Sequence, residues 1–136
     1  MKYKFIDDLT SDVYFECYGK DLKEIFENAA LAMFEVICKI NQVRPKNKLI
    51  VKIKGKNAKE LLFNWLQELI AQVDVEEMFF SKFNITKISE TELTSEICGE
   101  EISKEKGNTV VKAVTNYKFS LEKNNKGFTA TVSLDI

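Results

Sequence analysis

The sequence contains no histidine, and this absence excludes several kinds of functional site. Catalytic triads that use imidazole as the base cannot form, and neither can zinc sites that need imidazole ligands. The five glycines are dispersed, and neither G-x-x-x-x-G-K-[ST] nor G-x-G-x-x-G occurs. The chain therefore lacks the motifs of many hydrolases, zinc enzymes and nucleotide-binding enzymes, and no catalytic residue is assigned.

Cysteine and arginine are scarce as well. Cys17, Cys38 and Cys98 lie far apart with no C-x-x-C pair, which predicts reduced thiols that behave as small apolar residues. The sequence shows no signal-peptide pattern and no apolar run of about 18–20 residues. Together with the expected reduced thiols, this indicates a cytoplasmic protein that does not span a membrane. A net charge of −1 with one arginine, Arg44, argues against direct sequence-specific binding of nucleic acid.

Lysines are concentrated around the strand predicted at residues 49–53. They are Lys46, Lys48, Lys52, Lys54, Lys56 and Lys59. Two interpretations stay open: the lysines guard a solvated edge strand against pairing with another chain, or they form a patch that faces phosphate groups.

Apolar residues recur at helical spacing in two segments, residues 21–41 and 57–73. Each segment begins with a capping residue, Asp21 or Asn57, and has a glutamate three positions later, as in a capping box. The second segment has the cleaner amphipathic stripe, and Trp65 within it is predicted to be a core residue.

Strand patterns fill the remainder of the chain. They cover residues 13–18, 49–53, 79–89, 93–98, 111–121 and 128–136. The last two segments alternate with period two on either side of an Asn/Gly-rich turn at residues 124–127, which predicts an antiparallel hairpin. The expected fold is α+β, a single domain over residues 1–136 with two helices packed on a mostly antiparallel sheet, in the order β-β-α-β-α-β-β-β-β.

Counting outward from the hairpin turn places charged residues at its far end. Asp135 should lie opposite about Val114 or Asn116, with Lys112 one diagonal step away on the same polar face. The carboxylate of Ile136 adds a further negative group where the sequence stops.

A second acidic cluster lies in the irregular stretch before the strand at residues 13–18. It contains Asp7, Asp8 and Asp12. Carboxylates from separate segments, with water and main-chain carbonyls, are the ligands that Ca²⁺ or Mg²⁺ prefers. From the residues alone, a metal site and a solvated acidic loop both remain open.

Several short motifs in consistent order resemble the archease family. Residues 5–13, FIDDLTSDV, look like the family opening D-H-T-A-D-V, and residues 19–34, GKDLKEIFENAALAMF, are similar to G-x-T-L-E-E-A-F-x-x-A-A-x-A-M/L-F. LLFNWLQEL at residues 61–69 matches L-L-x-x-W-L-x-E-L. Gly99-Glu100, VKAVT at 111–115 and the final LDI match the closing motifs, whereas Leu9 and Asn116-Tyr117 replace the usual His and Y-H.

The resemblance implies a function. Archeases are metal-binding accessory proteins, not enzymes, that activate a tRNA-splicing RNA ligase by promoting its nucleotidylation and multiple turnover. The alternative role for the family is a chaperone or specificity factor for a tRNA-modifying enzyme such as a tRNA methyltransferase.

The resemblance also assigns residues. It places the metal ligands at Asp12 and Asp135, and we expect the C-terminal carboxylate of Ile136 to complete a site for Ca²⁺ or Mg²⁺. The functional lysine falls on Lys112, as a partner contact or as a balance for local negative charge. Asp8 is a candidate for the outer sphere of the metal, and the alternative is that it is a loop-turn residue.

Overall fold

In a computed structural model of the protein, residues 1–7 and 12–136 are described. They form seven strands and two α-helices. The elements are β1 (Tyr3–Phe5), β2 (Val13–Gly19), α1 (Leu22–Ile37), β3 (Asn47–Lys54), α2 (Ala58–Glu76), β4 (Met78–Ile88), β5 (Glu92–Glu101), β6 (Ala113–Asn124) and β7 (Gly127–Asp135). The predicted α+β class and the predicted element order are confirmed.

The strands divide into two antiparallel sheets. One sheet has the order β1-β2-β7-β6 and the other has the order β3-β5-β4. The pairing of β2 with β7 joins the beginning of the chain to its end. This long-range contact positions the candidate site.

Both helices begin where the capping residues predict. The Asp21 carboxylate accepts a hydrogen bond from the main-chain N–H of Glu24 at 2.8 Å, and Asn57 caps α2 in the same manner at 2.9 Å. Helix α1 ends at Ile37, earlier than predicted, because Cys38 is extended and forms a β-bridge with Gly107. Within the described residues, no helix is long and apolar enough to cross a membrane.

Trp65 is fully buried in the core, as predicted. Its indole N–H donates a hydrogen bond to the main-chain oxygen of Phe26 in α1 at 3.0 Å. Its ring also meets Phe83 of β4 edge-on, with 6.4 Å between centroids. The side chain therefore links α2 to α1 and to the β3-β5-β4 sheet.

The β6–β7 hairpin contains a bulge that the sequence pattern did not predict. Ser120 pairs with Thr131 but Thr115 pairs with Ser133, so β6 holds three extra residues between the two pairs. Lys118 in the bulge has a left-handed φ of 50°. Beyond the bulge the register is displaced, and the predicted partners of Asp135, Val114 or Asn116, are wrong.

Candidate functional site

The pairing of the first long strand with the last brings two acidic residues together. Val13 of β2 is the partner of Leu134 of β7. Asp12 directly precedes Val13 and Asp135 directly follows Leu134, so the two aspartates lie at the same end of this strand pair. Both aspartates are half-buried, so neither is fully hydrated.

The chain end and β6 complete this corner on the other side of β7. Ala113 is the partner of Asp135, because the bulge displaces the register of β6. The main-chain N–H of Lys112 donates a hydrogen bond to the main-chain oxygen of Asp135 at 2.7 Å. Ile136, which is 39% exposed, directly follows Asp135. Asp12, Asp135 and Ile136 therefore belong to one corner, which we call the chain-end corner.

Lys112 adjoins Asp135 through its main chain but belongs to a different surface. It is exposed and lines a cleft with α2 residues that include Glu68 and Asp74. Helix α2 lies against this edge of β6, where Gln67 accepts a hydrogen bond from the main-chain N–H of Val114 at 2.8 Å. The prediction that Lys112 and Asp135 share one polar face is therefore wrong, since Lys112 lies on the α2 side of β6.

The donor set at the chain-end corner suits a hard divalent cation. Two side-chain carboxylates offer the oxygen ligands that Ca²⁺ and Mg²⁺ prefer, and the sequence has no imidazole to compete with them. In the part of the chain that the structure describes, no three Asp, Glu or Cys side chains are grouped to hold a metal ion. Asp8, the predicted outer-sphere residue, lies outside the described residues, as does Leu9.

The bulge places an aromatic and cationic group beside this corner. Tyr14 lies two positions after Asp12 in the chain, and its ring meets that of Tyr117 edge-on, with 6.5 Å between centroids. The Lys118 ammonium group lies 5.8 Å from the centre of the Tyr14 ring and 5.3 Å from that of Tyr117. None of these three residues was predicted from the sequence to belong to a site. The one available signal was the departure from the family motif at Asn116-Tyr117.

The protein therefore has an α+β fold of two helices on two antiparallel sheets. Its acidic corner lies where β2 starts and β7 ends. Residues 3–136 match the archease protein family, and the chain belongs to that family.

Curated relatives are similar over nearly their full length. The archease of Sulfurisphaera tokodaii is 38% identical over 99% of each chain, and that of Methanothermobacter thermautotrophicus is 40% identical over 95% of each. The solution structure of Methanobacterium thermoautotrophicum protein 1598 aligns with a TM-score of 0.81 and 36% identity, covering 98% of each chain. A crystal structure from Thermotoga maritima, described as an archease and possible chaperone, has a TM-score of 0.70 at 16% identity over 96% of this chain and 95% of its own. The latter likeness concerns the fold alone.

Proposed function

We propose that this protein is a metal-binding accessory factor that activates a tRNA-splicing RNA ligase and has no catalytic activity of its own. The observation that supports the proposal is the pairing of Val13 with Leu134, because these two residues are the chain neighbours of Asp12 and Asp135. Two half-buried carboxylates held close at this end of β2 and β7 would repel each other, and a divalent cation would relieve that repulsion.

Asp12, Asp135 and the terminal carboxylate of Ile136 are the ligands for Ca²⁺ or Mg²⁺ in this proposal. When bound, the cation supplies a positive centre that acidic or phosphate groups of the ligase can approach. Lys112 directly precedes β6, and β7 lies between β6 and β2, the strand that follows Asp12. Lys112 is exposed beside α2, which suits a contact with the partner. Lys112 also balances the negative charge of Glu68 and Asp74 in the same cleft.

Activation then follows from differential binding. An accessory protein shifts an enzyme between two states only when it binds one of them more tightly. The protein would bind the ligase conformation that accepts nucleotide more tightly, and so promote nucleotidylation and repeated turnover. Its own part is to present the acidic corner and Lys112, which lie at the ends of β2, β7 and β6.

Titration calorimetry with Ca²⁺ and with Mg²⁺ tests the metal site directly. We expect the wild type to bind at least one of these cations, and Asp135→Asn to lose that binding because it removes one ligand charge at nearly constant shape. Asp74→Asn is the matched control, since Asp74 is an exposed aspartate on α2, away from the β2–β7 pair. Equal binding by all three proteins would contradict the proposed site.

The second candidate function is a chaperone or specificity factor for a tRNA-modifying enzyme. It is favoured by an apolar cleft of about 210 Å³, which has Ile70, Phe79 and Val111 in its walls and Val110, 79% exposed, at its margin. Such a cleft fits an apolar segment of a partner protein. If this function holds, Val110→Asp will abolish protection of a tRNA methyltransferase from thermal aggregation while Asp135→Asn retains it.

A further inference from the structure

The outer surface of the β3-β5-β4 sheet carries five lysines, which we call the lysine face. Lys48, Lys52 and Lys54 belong to β3, and Lys82 and Lys87 belong to β4. All five are exposed. The buried positions of these strands alternate with them and point into the core, so the lysines occupy one face and not merely one edge.

The register arranges the lysines as two lines with a furrow between them. Lys52 and Lys87 are both partners of Thr94 in the central strand β5, on its two sides, and Lys48 and Lys82 flank Cys98 in the same way. Neighbouring strands are about 4.8 Å apart, which separates the two lines of Cα atoms by roughly 10 Å. The floor of the furrow is formed by the outward side chains of β5, which are Glu92, Thr94, Glu96 and Cys98.

Protection of exposed strand edges does not account for the two lysines of β4. On the β4 edge, Glu27 of α1 accepts a hydrogen bond from the main-chain N–H of Ile85 at 2.8 Å. Lys23 of α1 donates to the main-chain oxygen of the same residue at 2.8 Å. Since α1 already covers this part of the edge, Lys82 and Lys87 are not needed there as guards against strand pairing.

The face has an excess of positive charge. Its acidic members on β5 are Glu92 and Glu96. Hydrogen bonds from Asn84 and Lys48 hold the pKa of Glu96 below its usual value, so this carboxylate is ionised and already partnered. The remaining four lysines, Lys52, Lys54, Lys82 and Lys87, form no ion pair with any other described residue.

Three of these lysines converge on one cleft. Lys52, Lys54 and Lys87 line a concavity of about 440 Å³ together with the hydroxyl-bearing residues Ser89 and Thr94. Glu92 is the one carboxylate in this lining. Ammonium and hydroxyl groups donate hydrogen bonds to phosphate oxygens, and here both kinds of donor surround one concavity.

From this geometry we infer that the lysine face binds the phosphate backbone of single-stranded RNA, without reading its sequence. Lysines two residues apart on β3 are about 6.6–6.8 Å apart along the strand, a spacing that an extended phosphate chain can follow. The strand positions of the face carry no aromatic ring or arginine, so bases are neither stacked nor read.

A protein partner fits this surface less well. The centres of protein–protein interfaces are enriched in aromatic residues, methionine and arginine and depleted in lysine. The lysine face has the opposite composition, and Ile50, 55% exposed, is the one large apolar side chain that projects from the outer positions of β3. An acidic protein is therefore the competing outcome that the experiment must separate from RNA.

Fluorescence anisotropy with a labelled oligouridylate of about 12 nucleotides tests the inference on the protein alone. The test variant is Lys52→Gln/Lys54→Gln/Lys87→Gln. The control variant, Lys2→Gln/Lys4→Gln/Lys126→Gln, makes the same change in net charge at exposed lysines outside this sheet. Thermal melts by circular dichroism establish that both variants fold.

The wild type and the control should bind the RNA at about 50 mM salt, and the test variant should bind about tenfold or more weakly. The slope of log affinity against log salt should also fall in magnitude by about 2, since each lost phosphate contact accounts for about 0.7. Equal weakening of both variants, or no binding by the wild type, would overturn the inference. Tighter binding of labelled polyglutamate of equal charge would overturn it in favour of an acidic protein partner. Because no ligase is present, the result does not depend on the proposed function.

Discussion

Replacing Trp65 by Phe should destabilise the fold through two effects that the structure separates. The indole N–H donates to the main-chain oxygen of Phe26 at 3.0 Å in a fully buried position. Phenylalanine lacks this donor, which costs about 1 kcal/mol as a lost hydrogen bond. The smaller ring also leaves a cavity between α2, α1 and Phe83, which costs about another 1–2 kcal/mol.

The expected decrease in the free energy of unfolding is therefore about 2–3 kcal/mol. Urea unfolding followed by far-ultraviolet circular dichroism measures it, because Trp65 is the sole tryptophan and its fluorescence is lost in the variant. Phe63→Leu is the control in the same helix, where a half-buried ring meets Phe119, and it should cost less than about 1.5 kcal/mol. A loss below about 0.5 kcal/mol for Trp65→Phe would refute the role assigned to the indole.

Three further perturbations have defined outcomes. Gly99→Ala should lower the melting temperature strongly or prevent folding, because a Cβ atom there would overlap the main-chain oxygen of Phe79 in the neighbouring strand; a melting temperature equal to that of the wild type would contradict this packing. Asn57→Ala should cost about 1 kcal/mol in urea unfolding through loss of the α2 cap, and Asn57→Asp should retain stability. Burial raises the pKa of the Cys17 and Cys38 thiols to about 12 from an ordinary value of 9.0. As the pH rises, the unfolded chain loses these protons before the folded chain does, so the free energy of unfolding should fall by about 1 kcal/mol per thiol between pH 9 and 10. The variant Cys17→Ala/Cys38→Ala should lack this decrease.

Local signals in the sequence predicted much of the fold. Asp21 and Asn57 mark helix starts through capping, and the Asn/Gly-rich turn at residues 124–127 marks the final hairpin. These features depend on neighbours within a few positions. The pairing of β2 with β7 depends on residues at opposite ends of the chain, and the division into two sheets is equally non-local.

The bulge in β6 shows why the site was predicted only in part. Residues 116–118 continue the alternating pattern of their strand, so nothing in the periodicity indicates three extra residues. The bulge moves the partner of Asp135 to Ala113 and places Lys112 on the α2 side of β6. The family resemblance implied that Asp12 and Asp135 lie close together, and in the structure their chain neighbours Val13 and Leu134 are partners.

Multiple-turnover ligation by a tRNA-splicing RNA ligase tests the proposed function most directly. With the ligase limiting and RNA halves, GTP and divalent metal in excess, the wild-type protein should increase the number of ligation events per ligase molecule. Asp12→Asn and Asp135→Asn should each abolish that increase while melting like the wild type, and the double variant should be scarcely worse than either, because the two carboxylates act as one unit. Stimulation by both folded single variants at the wild-type level would contradict the account.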